Sequence, residues 1–255
     1  MPSPFFSIII PTLNEEQYLP KLLQSLVRQL DKDFEVILVD AQSEDKTLPT
    51  ARKFMAPLRH IHILTSRRRN PAYQRNLGAK TAHGKYLVFL DADTSIPSNF
   101  LSQIHHYLLD QNPQCELLTT WIKPDTTQES GKILATLYNI IMETTKSINR
   151  PMLGGSNIIL KKSAFLRVGM FNHRVQLAED HDLAKRLVAT GARYTILKSP
   201  QIIISFRRFR SQGTLKVLKK YTEITAKYFL HGPIKLDADY PMGGHHFPPA
   251  RTSSQ

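Results

Sequence analysis

The sequence predicts an α/β protein built on one central, mainly parallel sheet. Three observations carry that prediction. Short apolar runs at 5–10, 35–40, 61–64 and 85–90 have the length and the β-branched or aromatic content of buried strands. Segments with apolar residues at helical spacing lie between them, as in βαβ units. Two of the runs pass straight into carboxylates, at Asp40 and Asp91. Ligands of open parallel sheets sit beyond the carboxyl ends of the strands.

The elements follow in order. The strand at 5–10 leads into Pro11-Thr12-Leu13-Asn14-Glu15, where Asn14 suits a helix N-cap. Leu19, Leu22, Leu23, Leu26, Val27 and Leu30 then recur at helical spacing. A strand at 35–40 ends in Asp40, and Ser43, Asp45 and Thr47 mark a polar turn into a helix. After a short third strand, 72–82 reads as helix with Gly84 as its stop. The 85–90 strand precedes a helix at about 97–109. Further on, 116–122 reads as strand, 131–148 as helix, and Gly154-Gly155 as a loop entering a strand. Residues 178–191 read as an acidic helix start closed by Gly191, and 194–197 and 202–206 as late strands. Residues 212–230 place apolar side chains on one side and Lys216, Lys219, Lys220 and Lys227 on the other. Such a helix either packs on the core or lies on an anionic membrane. The remaining tail, 233–255, is expected to be loose.

Composition sets the bounds. With 255 residues, 41% hydrophobic and 22% charged, the chain can bury a substantial core. Cys115 is the single cysteine, which excludes an internal disulfide and points to a reducing compartment. No signal-like start and no apolar run of about 18 residues is present, so a cytoplasmic protein is expected, at most peripheral on the inner membrane face. The net charge of +13 favours anions, whether nucleotides, acidic lipid or nucleic acid.

The chemistry centres on Asp91 and Asp93. On an extended backbone, residues two apart point the same way. Both would then address one hard cation, Mg²⁺ or Mn²⁺, unless a turn redirects either. The same pair also suits a turn and a helix cap. Glu179, Asp180, His181 and Asp182 form a second acidic group, which equally suits a helix dipole.

Five segments carry a family resemblance: Ile-Ile-Pro-Thr-Leu-Asn-Glu at 9–15, Val39 to Thr47, Arg75-Asn76-Leu77-Gly78-Ala79, Phe89 to Thr94, and Glu179-Asp180. In that order they resemble the family 2 glycosyltransferases. The resemblance implies a three-layer, Rossmann-like fold, called GT-A, spanning 1–232. It also implies transfer of one sugar from a nucleotide-diphosphate donor, with Mg²⁺ or Mn²⁺ assisting and the anomeric centre inverted. By resemblance, Pro11, Thr12, Asn14 and Glu15 line the nucleoside loop. Asp40 accepts a hydrogen bond from the base, commonly uracil, which favours a UDP-sugar; Ala41 stands where the family often has a second aspartate. Arg75 reaches the nucleotide, Asp91 contacts the ribose or assists through water, and Asp93 holds the metal. Asp180 is the base that takes the acceptor's proton, and Gly154-Gly155 faces the acceptor. The Gln-x-x-Arg-Trp motif and membrane spans of the processive synthases are missing, which favours single transfer.

Two alternatives stand beside it. A sugar-nucleotidyltransferase would favour a glycine-rich loop after the first strand, and Pro11 to Asn14 has no glycine. A non-catalytic nucleotide or nucleic-acid binder fits the charge but not the intact carboxylate pairs. No nucleic-acid partner is expected.

Overall fold

Phe6–Thr12 (β1) lies inside the parallel half of the sheet, hydrogen-bonded on both sides. The structure is a computed structural model that describes residues 3–148, 153–175 and 178–214, with 216, 217, 219 and 223. The basic helix expected over 212–230 and the tail at 233–255 lie outside the described residues, apart from those few positions.

Phe34–Asp40 (β2) and Tyr86–Phe89 (β4) flank β1 in parallel, and Ile61–Thr65 (β3) extends the sheet beyond β2. Ile158–Lys161 (β6) runs antiparallel between β4 and Leu117–Pro124 (β5). Tyr194–Ile204 (β7) closes the far edge, parallel to β5. Among the described residues the strand order is β3-β2-β1-β4-β6-β5-β7. The sheet is therefore mixed, with its parallel core where the sequence predicts it. Registers Thr12↔Asp40 and Ile9↔Phe89 align the carboxyl ends of β1, β2 and β4 on one edge.

Every residue of β2 is buried, and all but Pro11 in β1. Such strands need cover on both faces. Leu19–Val27 (α1) and Phe100–His106 (α4) cover one face, through Leu22, Leu26, Phe100 and Ile104. Pro71–Thr81 (α3), Lys162–Arg167 (α6) and Glu179–Ala189 (α7) cover the other, through Ala79, Phe165 and Leu187. The result is the expected three layers. α3 sits so close that a Cβ on Gly78 would come within 2.7 Å of Ile9 Cγ2. The short helix Thr47–Arg52 (α2) and the long helix Glu129–Ser147 (α5) complete the set with Arg207–Gln212 (α8). No described helix is long and apolar enough to cross a membrane.

Several local expectations need correction. Asn14 caps no helix: α1 starts at Leu19 behind Tyr18. Asn14 instead sits at φ 53°, its N–H donating to Ser43 Oγ and its Oδ1 accepting from the Glu44 N–H. The 97–109 helix is α4 followed by a π-helical turn, Tyr107–Gln111. The two late strands are one, β7, with a register shift opposite Thr120 and Ile122. Neither α6 nor α8 was signalled by apolar spacing, because both are only six residues long.

Candidate active site

The nucleoside loop and the turn after β2 are built as one unit. Asp40 is fully buried at the end of β2. Its carboxylate accepts from Thr12 Oγ1 (3.0 Å), Ser43 Oγ (2.6 Å) and the Ser43 N–H (2.9 Å). Gln74 of α3 ties the same strand ends, donating to Thr12 O (3.0 Å) and Val39 O (2.7 Å). The Glu15 N–H donates to Thr47 Oγ1 at 2.8 Å, joining the loop to α2. Thr12, Asn14 and Asp40 are therefore linked through Ser43 and one another, with Pro11 half-buried at the end of β1.

Asp91 and Asp93 are engaged by different arginines. The Thr94 N–H and Oγ1 both return to Asp91 O, at 3.1 and 2.8 Å. That turn sends the two carboxylates apart. Asp91 Oδ1 accepts from Arg75 Nη2 at 2.8 Å, whereas Asp93 Oδ2 faces Arg207 Nε at 3.0 Å.

Arg75 is the hub of the first direction. Its Nη1 donates to Glu179 Oε1 at 2.8 Å, so one buried guanidinium joins the two acidic motifs. Its charge offsets the carboxylates, and they in turn hold its own proton more firmly than usual. Burial, and then Asp180 beside it, push the Glu179 carboxyl upward against the pull of Arg75. Gly155 is close by, where a Cβ would lie 3.0 Å from Arg75 Nη2.

Arg207 is the hub of the second direction, and sequence reading missed it. It opens α8 beyond the motifs that carry the resemblance, inside the basic run Arg207-Arg208-Phe209-Arg210. That run was its only signal. Its guanidinium grips Glu15 bidentately (2.7 and 2.9 Å) and lies 4.5 Å from the centre of the Tyr18 ring. Burial raises the Glu15 carboxyl, with Arg207 opposing. Burial likewise pushes Asp93 up to about 7; Arg207 pulls the other way, and Asp91 and Glu15 add to the rise.

The acidic helix start is sorted by partner. Glu179 goes to Arg75, and Asp182 to Arg186 Nε one turn on (2.9 Å). Asp180 accepts the His181 N–H at 2.8 Å. His181 Nδ1 accepts the Leu153 N–H at 3.3 Å, which ties the stretch before Gly154 to α7. Ala178, just before the helix, is held at φ 64°, a strained backbone for a residue with a Cβ.

Among the described residues no group of three or more His, Cys, Asp or Glu side chains is arranged to enclose an ion. Mg²⁺ and Mn²⁺ sites often use one or two carboxylates and take the rest from waters and substrate phosphates. Asp93 fits that limited role: a half-buried carboxylate with a raised pKa, just past the carboxyl end of β4, gains by meeting a cation.

Comparison with known proteins places this geometry. The model of the family described as "Glycosyl transferase family 2" matches residues 7–169. A glycosyltransferase of Haemophilus influenzae is 28% identical over 184 residues, covering 71% of this chain and 61% of that protein. The chain thus spans less than two thirds of that relative. A dolichyl N-acetyl-α-D-glucosaminyl phosphate glucuronosyltransferase of Methanococcus voltae is 24% identical over 247 residues, 88% of this chain and 71% of its own length. Among solved structures, TarS of Staphylococcus aureus (residues 1–349, with UDP-GlcNAc) superposes at a TM-score of 0.66 and 21% identity, covering 78% of this chain and 58% of that one. The mannosyltransferase PcManGT of Pyrobaculum calidifontis, solved with GDP-Man and Mn²⁺, gives 0.65 and 21%, covering 91% and 71%.

Proposed function

The chain belongs to glycosyl transferase family 2, and from that membership we propose that it transfers a single sugar from a nucleotide-diphosphate donor to an acceptor hydroxyl, with inversion. The observation that carries this reading is the Arg75 bridge, which brings Asp91 and Glu179 to one guanidinium and so sets Asp180 near the β4 edge.

Each residue has a part in the proposal. The nucleoside rests on the loop of Pro11, Thr12, Asn14 and Glu15, over Asp40. Asp40 holds Thr12 and Ser43 in place there, and a UDP-sugar is the favoured donor. Asp91 addresses the ribose, and Arg75 stands behind it as the nearby cation. Asp93 is the protein ligand of Mg²⁺ or Mn²⁺. Such an ion supplies positive charge to the departing diphosphate. Asp180 takes the acceptor's proton as the hydroxyl attacks the anomeric carbon. Asp180 is supported over its neighbours because Glu179 and Asp182 are each committed to an arginine, whereas among the described residues no arginine hydrogen-bonds Asp180. The relatives' donors, UDP-GlcNAc and GDP-Man, support the donor class. The catalytic domain is taken as 1–232.

A thermal-shift screen of nucleoside diphosphates, with and without Mn²⁺, tests the reading. A specific ligand should raise the melting temperature by mass action, and only with metal present. A flat response to every nucleotide would argue against it.

A further inference from the structure

We propose that the outer face of α5 docks the protein on a bilayer containing anionic lipid, and that the sugar acceptor is carried in that bilayer. The acceptor half rests on the glycosyl-transfer reading above; the docking half does not.

The inner face of α5 is firmly seated. Asn139 accepts from the Ile122 N–H at 2.9 Å and donates to Ile122 O at 3.0 Å. Trp121 Nε1 donates to Glu143 at 3.1 Å, and Gly131, Ala135 and Met142 are buried. Among the described residues nothing covers the outer face in this way. Ile133, Leu137, Ile140, Ile141 and Ile148 are each between 49% and 62% exposed. They recur at three- and four-residue spacing with Thr144 among them, so they form one stripe roughly 22 Å long. No charged side chain interrupts it. Lys132 and Lys146 lie off its centre, and Lys132 is paired with Glu129. Contiguous exposed aliphatic surface of this kind marks an interaction site.

Three features favour a lipid surface over a second copy of the chain. The stripe is wholly aliphatic with two small hydroxyl neighbours, lacking the Trp, Tyr and Arg anchors typical of protein interfaces. It offers about five residues, where a standard interface uses about 20–30 per side. The net charge of +13 repels a second copy and attracts acidic headgroups. An amphipathic helix buried by its apolar face at the headgroup boundary needs only such a stripe.

The helix that carries the stripe also borders the site, through another of its faces. Tyr138, within α5, has its hydroxyl where a Gly154 Cβ would be (2.6 Å). Gly155 follows, and its missing Cβ leaves room for Arg75. An acceptor hydroxyl at Gly154 and Gly155 would face the Arg75 bridge, with its lipid carrier running past α5 to the bilayer. The Methanococcus voltae relative, by its name, works on a dolichyl phosphate-linked sugar.

The test is co-sedimentation of the full chain with phosphatidylcholine vesicles, with and without phosphatidylglycerol. It compares wild type with Leu137→Gln/Ile141→Gln, a neutral pair at exposed positions. Melting temperature and nucleoside-diphosphate binding are measured alongside, and both should be unchanged. Wild type should bind the anionic vesicles, and the pair should weaken binding about tenfold or more. Equal binding by the pair would overturn the assignment to α5 and point to the lysines after residue 212. No vesicle binding by wild type would overturn docking altogether. A wild-type dimer that the pair dissociates in sedimentation velocity would make the stripe a contact between copies and would also overturn it. Vesicle binding without any nucleotide binding would leave docking in place while removing the transferase reading and its lipid acceptor.

Discussion

Arg207 Nε stands 3.0 Å from Asp93 Oδ2 while its two terminal nitrogens hold Glu15. One buried cation from the last described helix thus neutralises the loop after β1 and the turn after β4. Removing it strands the buried Glu15 carboxylate and the half-buried Asp93. Arg207→Gln should cost about 3–5 kcal/mol of stability, read from urea unfolding. Adding Glu15→Gln should recover part of that loss, because one stranded charge goes with it. A single variant as stable as wild type would show that the pair is not needed.

Asp93 predicts an unusual pH dependence. Burial keeps its proton up to about 7, against an ordinary 3.8. Between those values the folded chain holds a proton that the unfolded chain has released, so this group's contribution to stability falls as pH rises through the interval. Metal must displace the same proton. Mn²⁺-dependent nucleotide affinity should therefore climb by up to about one decade per pH unit below about 7 and then level off. Calorimetric titrations across that range provide the check. Affinity that is flat from acid to neutral pH would remove Asp93 from the metal.

Most of the parallel half of the sheet was legible because its strands are short apolar runs, two of them closed by carboxylates. Residues 35–40 and 61–64 fall within one residue of β2 and β3. Helix α3 was legible in its extent, 72–82 against Pro71–Thr81, but Gly84 is not its stop: the helix is capped at Ala82, and Gly84 instead lets the chain pass close to the Ser7 backbone. The turn at Asp91–Thr94 was legible only as an alternative, since period-two geometry assumes extended backbone and only the Thr94 bonds decide against it. The partners of Glu15 and Asp93 were also hidden, because Arg207 joins them through contacts remote in sequence. Glu179 read as dipole complementation, and its Arg75 contact likewise depends on the packing of α3 against α7.

Gly155 is the sensitive point of the first hub. A Cβ there would meet Arg75 Nη2 at 3.0 Å, and Asp91 and Glu179 hold that guanidinium in place. Gly155→Ala should push the bridge aside and lower turnover by about 10–100-fold. The melting temperature should move little, since the atom met is the end of a long side chain. Unchanged turnover on an active donor would mean that the position of Arg75 is not critical.

The acidic helix start separates by substitution. Asp180→Asn should lower turnover by about 10²–10⁴-fold with donor affinity nearly unchanged. Asp182→Asn breaks the contact to Arg186 and should cost about 1–2 kcal/mol of stability, with turnover close to wild type. Glu179→Gln loosens the Arg75 bridge and should fall between them. A dead Asp182→Asn beside an active Asp180→Asn would move the base by two residues.

The central claim is a nucleotide-diphosphate site whose metal is held by Asp93, and isothermal titration of UDP with and without Mn²⁺ tests it most directly. Wild type should bind only with Mn²⁺. Asp180→Asn should bind like wild type, and Asp93→Ala should lose the metal-dependent affinity. Asp93→Ala binding UDP and Mn²⁺ as tightly as wild type would contradict the assignment, and metal-independent binding by all three proteins would contradict the account as a whole.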